Sequence, residues 1–469
     1  MTLPARRPAT PALEALLVGL ARWEPAGEDL DAARSRVADV ACAVWLGASL
    51  TQWKAARRAY ARGTGSVARV LPTGSPEAVT SASDLGAALA ACCRITEIDD
   101  IELTTCTTPG SVVVPAALVA HARCGAAPDP GGDRLLAAVA TGYEVVLEAA
   151  SALGGAFAPG AGIWPTRAVA AVGAAATVAR ALGLPPAAAE DAVALAAGAG
   201  YAGSFPEPAR SWSLGAAVAR GIAAALAASE GLRGDASLLA RWPGATYPIP
   251  AQDHATRVGV LDAGTSAVRR SRLKPYAAAR QVLAGSAGLR ALVESGEVDP
   301  ADVVEVLVAV PSLHAGMIDR PSPTVRLDTL ASAQFQLATA LEAPHRLDEL
   351  DHAPPSPAVA ARMAAVRVVG DHGHAEGGEH ADLGFPARWG ARLELAHRGG
   401  RRTCHVVDGV PGEEAFTWED VERKAHRLAT ANGADPADLD ELFAMARTDD
   451  WSGLVASLAA AVLSEGGGR

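Results

Sequence analysis

Apolar positions recur at helical spacing through most of this chain, and the exceptions are confined to one region. Residues 10–62 read as two or three amphipathic helices, with DLDAARSRVADVACAVWLGASL the clearest of them. Residues 76–98 form another. Long Ala/Val/Leu helices follow at 109–124 and 131–153, separated by PDPGG, and then at 165–182, 186–198, 213–231 and 235–241. Residues 243–259 are Pro-rich and lack periodicity, as a linker would. Beyond them the period changes to two. VVEVLVAVP (303–311), the stretch around Val366 and Val368, ARWGARLELA (387–396) and RRTCHVVD (401–408) read as half-buried strands. Gly399-Gly400 joins the last two as a hairpin, and a helix around Asp328 to Leu341 interrupts the series. From Thr417 the pattern is helical again. Thr417 and Asp420 make a capping box, and Gly433 stands where a helix stops. The expected architecture is mainly α. A large all-helical domain (1–259, with 411–469 packing on it) carries an inserted, smaller α+β domain at 260–410.

Composition narrows the chemistry. Half of the residues are apolar, much of that Ala, and aromatics are 4%, which is the makeup of closely packed helices. The net charge is −11 and no basic run occurs, so no nucleic-acid partner is expected. The N-terminus shows no signal-peptide pattern, and the longest charge-free span (149–166) is broken by Gly and Pro. The expectation is a cytoplasmic protein without a membrane span. Six scattered cysteines show no C-x-x-C spacing, so neither a disulfide framework nor a zinc site is indicated. DHGHAEGGEHAD (371–382) holds three His and several carboxylates, but it is Gly-rich, lies between strands and reads as a solvated loop, so no metal is assigned. GAGYAG (198–203) matches G-x-G-x-x-G, yet it follows a helix rather than a strand and is rejected as a dinucleotide site.

One stretch concentrates candidate chemistry. RITEIDDIELTTCTTPGSVVVPAAL (94–118) packs Glu97, Asp99, Asp100 and Glu102 into six residues, follows them with threonines, and opens a helix at Pro109-Gly110-Ser111. The unpaired N–H groups of that first turn make a seat for an anion. Carboxylates beside an anion seat suit proton transfer on an acidic substrate; an N-capped helix after a solvated loop is the plainer alternative. Arginine is the generic cation, and the only lysines are Lys54, Lys274 and Lys424. An ammonium can lose its proton when desolvated and a guanidinium cannot, so Lys274, in RLKPYAAARQ, is the candidate for a chemical role.

Several of these patterns, in this order, resemble the MmgE/PrpD family, which includes 2-methylcitrate dehydratases and cis-aconitate decarboxylases. They are EIDDIE with TPGSVVVPAAL, GYEVVLEAA, WPTRAVAAVGAAATVARALGL, ARSWSLGAAVARGIAAALAA, LKPYAAARQ and VPGEEAFTWEDVERKAHRL. The resemblance implies a helical domain built from both chain ends with an inserted lid, a homodimer, no metal or organic cofactor, and a small carboxylate substrate. It places the family's acidic pair on Asp99 and Asp100 and keeps its lid lysine as Lys274, followed by Tyr276 and Arg280. Thr108 and Trp164 stand where histidines are usual, Arg210 stands where decarboxylases carry Lys, and Leu283 lies near the expected place of a further His. The implied reading is a cofactor-independent lyase or epimerase, with Lys274, Asp99, Asp100 and Tyr276 handling protons. Arg210, Arg280, Thr108, Ser111 and Trp164 would bind a substrate bulkier or less charged than citrate. The alternatives are a divergent isomerase or cyclase of secondary metabolism, and a catalytically silent relative that binds a metabolite.

Overall fold

The computed structural model describes residues 23–63, 82–124, 133–198, 209–241, 265–351, 355–371, 381–413 and 417–463. The fold is mainly α, with a smaller α+β region holding a four-stranded sheet. The chain divides into two compact units. The first comprises Met1–Cys92, Thr105–Ser271 and Leu442–Arg469; the second comprises Cys93–Thr104 and Arg272–Glu441.

The first unit is helical and centred on helix Pro165–Ala181, which packs against helices Gly110–Cys124, Asp133–Ala152, Pro186–Ala197 and Arg210–Ser229. Its sequence, PTRAVAAVGAAATVARA, is small and mostly apolar apart from Arg167 and Arg180, so nearly all of it can be buried. Pro165 opens it, where a missing N–H costs nothing. Gly183, at φ +65°, closes it in the left-handed conformation. The packing is tight because side chains are missing where backbones meet: a Cβ on Gly221 would lie 2.3 Å from the Ala171 carbonyl oxygen. Helix Gly27–Ser49 also lies in this core. Its buried Arg36 donates to Ser271 Oγ at 2.7 Å and to the Val268 carbonyl at 2.8 Å. Helix Trp451–Leu463, from the far end of the chain, packs on Gly27–Ser49, Thr51–Gly63 and Gly110–Cys124. Trp53 Nε1 donates to the Val462 carbonyl at 3.1 Å. By length and composition, helices Arg134–Ala152 and Arg210–Ser229 could cross a membrane, but 78% of the former's apolar window is buried among its neighbours, as in a core helix.

The second unit holds strands β1 (Val303–Pro311), β2 (Val366–Asp371), β3 (Ala391–His397) and β4 (Arg402–Val407), in the order β2-β1-β3-β4. β1 pairs parallel with β2, while β1–β3 and β3–β4 are antiparallel. β3 alternates between fully and partly buried residues, as its sequence predicts. The β3–β4 hairpin turns at Gly399 (φ +79°) and Gly400 (φ +86°). Helix Arg280–Glu294 packs on β1, β3 and β4, and helix Ala333–Glu342 packs on β2 and on Arg280–Glu294. The expected helix around 328–341 is two, Arg326–Ala331 and Ala333–Glu342. Ser332 leaves helical geometry between them and accepts the Phe335 N–H at 3.0 Å.

Helix Arg280–Glu294 is absent from the sequence reading. Its Gly285, Ser286 and Gly288 weaken the helical signal, and a Cβ on Gly288 would strike Val407 at 2.5 Å. The boundary at 410 also shifts. Helix Trp418–Ala431 belongs to the second unit, tied there by Lys424 to the Ile98 carbonyl (2.6 Å) and by the Asn432 side chain to Leu350 N (2.7 Å). Only from Leu442 does the chain return to the helical unit. The linker at 243–259 lies outside the described residues.

The Gly221 contact yields a stability prediction. Gly221→Ala gains helix propensity but must push a backbone carbonyl aside, so it should destabilise by about 1–2 kcal/mol. Gly86→Ala should lose less, because its Cβ meets only the Cδ1 tip of Ile222, which can rotate away. Urea midpoints at unchanged m-value measure both; an equal or greater loss for Gly86→Ala would refute the backbone argument.

Candidate functional site

Helix Ala82–Thr96 ends inside the second unit's segment Cys93–Thr104. A helix C-terminus leaves carbonyls without intrahelical donors and carries partial negative charge. Here four consecutive carbonyls are met by cations. Arg326 donates to Ile95 O (2.6 Å) and Thr96 O (3.1 Å), Lys274 to Glu97 O (3.3 Å) and Lys424 to Ile98 O (2.6 Å). The chain reverses through Glu97 at φ +62°, a left-handed conformation that a non-glycine residue holds only when its surroundings impose it. Burial and loss of hydration push the Arg326 guanidinium down to about 10.

The same turn carries a buried quartet of charges. Arg94 reaches Asp99 Oδ1 at 2.7 Å and the Glu97 carboxylate at 2.8 Å. Lys274 Nζ lies 3.1 Å from Glu97 Oε2 and 3.9 Å from Asp99 Oδ1. All four residues are buried, Lys274 to 1% exposure, and their formal charges cancel. Lys274 is delivered by a two-residue bridge: Ile101 N donates to Arg272 O at 3.0 Å, and Arg272 N to Ile101 O at 2.6 Å. Asp99 Oδ2 is buried and has no hydrogen-bond partner among the described residues. Asp100 is also buried, and Glu102 accepts from the Thr104 hydroxyl at 2.7 Å.

Tyr276 and Arg280 are engaged elsewhere in this unit. The Tyr276 hydroxyl lies 2.7 Å from Ser286 Oγ, and burial raises it well above the usual phenol range. Arg280 Nη2 donates to both oxygens of Glu413, at 2.8 and 2.9 Å, and its guanidinium sits 5.7 Å from the Trp389 ring centre. Burial lowers the Arg280 guanidinium, while Glu413 opposes the shift. Glu413 thus takes one Arg280 nitrogen, and Nη1 donates to the Trp389 carbonyl at 3.2 Å.

The remaining candidates lie in the first unit. Thr108 N donates to Thr166 Oγ1 at 3.0 Å, Thr108 Oγ1 lies 3.2 Å from Ser111 Oγ, and Ser111 Oγ donates to Thr108 O at 2.9 Å. These hydroxyls join the starts of helices Gly110–Cys124 and Pro165–Ala181. Trp164 immediately precedes the second of those helices, and the buried Arg210 guanidinium stands 5.8 Å from its ring centre. That spacing suits a cation–π contact.

Four groups were not anticipated from the sequence: Arg94, Glu413, Lys424 and His314. Arg94 and Lys424 are ordinary helical cations until the turn is folded. His314 follows β1 and packs on Phe385 and Trp389, at centroid distances of 5.1 and 4.5 Å. Burial, with Arg280 nearby, pushes its imidazole down to about 3. Among the described residues no group of three or more His, Cys, Asp or Glu could hold a metal ion. Of the His-rich stretch 371–382, residues 372–380 lie outside the described residues, and Asp371 pairs with Arg392 at 2.8 Å.

Compared with known families, residues 19–248 match the model of the MmgE/PrpD N-terminal domain. No curated protein matches the chain.

His314 sets a pH dependence. Its folded value lies below the unfolded 6.5, so as pH falls the unfolded chain takes up the proton first. Stability is therefore lost between about pH 6.5 and 3, at a limiting slope of about 1.4 kcal/mol per pH unit. His314→Phe removes that component. Denaturation of the two proteins between pH 7 and 5 should show the wild type losing stability more steeply; parallel curves would mean that the imidazole charges within the fold.

Proposed function

The chain belongs to the MmgE/PrpD family, a membership consistent with dehydratase-type lyase activity, and on that premise we propose a cofactor-independent lyase or epimerase that moves a proton beside the carboxylate of a small metabolite. The observation that carries the proposal is the contact of one lysine amine with two carboxylates at almost complete burial, 3.1 Å from Glu97 and 3.9 Å from Asp99. Low dielectric disfavours separated charges. Passing one proton from Lys274 to Asp99 leaves the net charge of the quartet unchanged and produces both a free amine and a carboxylic acid. Arg94 and Glu97 remain as the ion pair that frames them.

In this reading the Lys274 amine removes the proton from the carbon next to the substrate carboxylate. The electron pair left behind forms the carbon–carbon double bond as the carbon–oxygen bond breaks. Asp99 gives its proton to the departing hydroxide, which leaves as water. In an epimerisation, a proton returns instead to the opposite face of the same carbon. Asp99 is favoured over Asp100 because its second oxygen has no partner among the described residues.

The rival reading is a catalytically silent relative in which the quartet only ties the turn down, and the cancellation of charge within the quartet favours it. A screen of small carboxylic acids in heavy water, scored by solvent exchange at the carbon beside the carboxylate, separates the two. Lys274→Arg keeps the charge but cannot release a proton near neutral pH, so it should lower exchange by roughly 10²–10⁴-fold while the protein stays folded. Full exchange in that variant would remove Lys274 from the chemistry, and no exchange of any acid by the wild type would leave the silent relative.

A further inference from the structure

We propose that Lys424 and Arg427 are positioning residues which together set the separation between Lys274 and Asp99; this rests on the proton-transfer reading above. Both lie on helix Trp418–Ala431, three residues apart and therefore on one face. Lys424 Nζ donates to the Ile98 carbonyl at 2.6 Å, and Ile98 precedes Asp99. Arg427 Nη2 donates to the Pro275 carbonyl at 2.7 Å, and Pro275 follows Lys274. One rigid helix therefore grips the backbone beside each member of the proton-transferring pair.

The grip reaches the side chains because both segments are stiff. Proline fixes its own φ and restricts the residue before it, so holding Pro275 holds Lys274. On the other side Glu97 is locked in its left-handed conformation, and the next carbonyl in the chain is the one Lys424 takes. The helix is itself anchored. Val421, Ala425, Leu428 and Ala429 are buried. Asn432 Nδ2 donates to Asp348 O at 2.9 Å. The Asp348 carboxylate accepts from Arg427 and, at 2.9 Å, from Arg290. Burial, with Arg290 nearby, pushes the Arg427 guanidinium down to about 10.

The residue types fit the task. A carbonyl deep in the fold suits a compact ammonium on a flexible stem, which Lys424 supplies at 3% exposure. Arg427 must bridge a carbonyl and a carboxylate at once, which suits a planar fork of several donors.

Lys424→Met and Arg427→Gln test the proposal, with Lys424→Arg as the conservative control. The chain has only Lys54, Lys274 and Lys424, so lysine 13Cε resonances resolve site by site, with Lys54 as an internal reference. Each variant should displace the Lys274 titration midpoint by about a factor of ten in its dissociation constant, which is about 1.4 kcal/mol. The Lys54 midpoint should not move, and Lys424→Arg should restore most of the Lys274 value. On an exchangeable carboxylic acid, kcat should fall about 10²-fold with KM little changed. An unmoved Lys274 midpoint in either folded variant overturns the proposal; should Lys424→Met fail to fold, the half-buried Arg427→Gln decides alone. Wild-type exchange with an unmoved midpoint removes the positioning role and keeps the proton-transfer reading. A displaced midpoint in a protein that exchanges no acid keeps the positioning role and removes that reading.

Discussion

Arg94, Glu97, Asp99 and Lys274 form a set of ion pairs at a depth where no single charge could stand alone. Taking each ion out of water costs several kcal/mol, and only mutual contact with full hydrogen bonding offsets it. Leaving one partner out would strand a buried charge, at about 3–5 kcal/mol. Much of the surrounding geometry follows from this requirement. The helix that delivers Arg94 ends where its side chain can span two carboxylates, and the chain turns back through a left-handed Glu97 to present them. The strand-like contact between Ile101 and Arg272 brings in the lysine. The buried helix end creates a second need, four carbonyls that Arg326, Lys274 and Lys424 meet.

Arginine and lysine divide this work by geometry. Where two acceptors lie side by side the chain uses a guanidinium, as at Arg94 and Arg326. Lys274 and Lys424 stand where a point charge meets the turn, and both are buried, although lysine is rare in this sequence. Only the ammonium can exchange its proton under ordinary conditions. The one titratable cation in the quartet is therefore placed against two carboxylates, while the guanidinium beside it remains a fixed charge.

Much of the fold was legible because its punctuation is plain: Pro165 before a long helix of the first unit, the Thr417–Asp420 box and the glycine pair at 399–400 in the second. The acidic turn and Lys274 could be singled out by composition alone. Their contact depends on residues 177 positions apart, and no local pattern encodes it. Helix Arg280–Glu294 was hidden because its small residues answer to neighbours on the sheet rather than to helix propensity. Residue type and a family resemblance point Arg280 toward a substrate carboxylate, and neither signals that Glu413, 133 residues further on, pairs with its Nη2. The position of helix Trp418–Ala431 was misread for a related reason. Its pattern marks it as amphipathic and does not say which core its buried face will meet.

Helix Trp451–Leu463 is made after every other described element, and its buried face lies against helices drawn from the first quarter of the sequence. During synthesis, helices Gly27–Ser49 and Thr51–Gly63 leave the ribosome with part of their apolar surface uncovered. They stay so until nearly four hundred more residues have been added, about 20–80 s at ordinary elongation rates. The nascent chain thus has a prolonged period of vulnerability to aggregation and a natural call on holdase chaperones, and the helical unit closes only once residues 451–463 have been made.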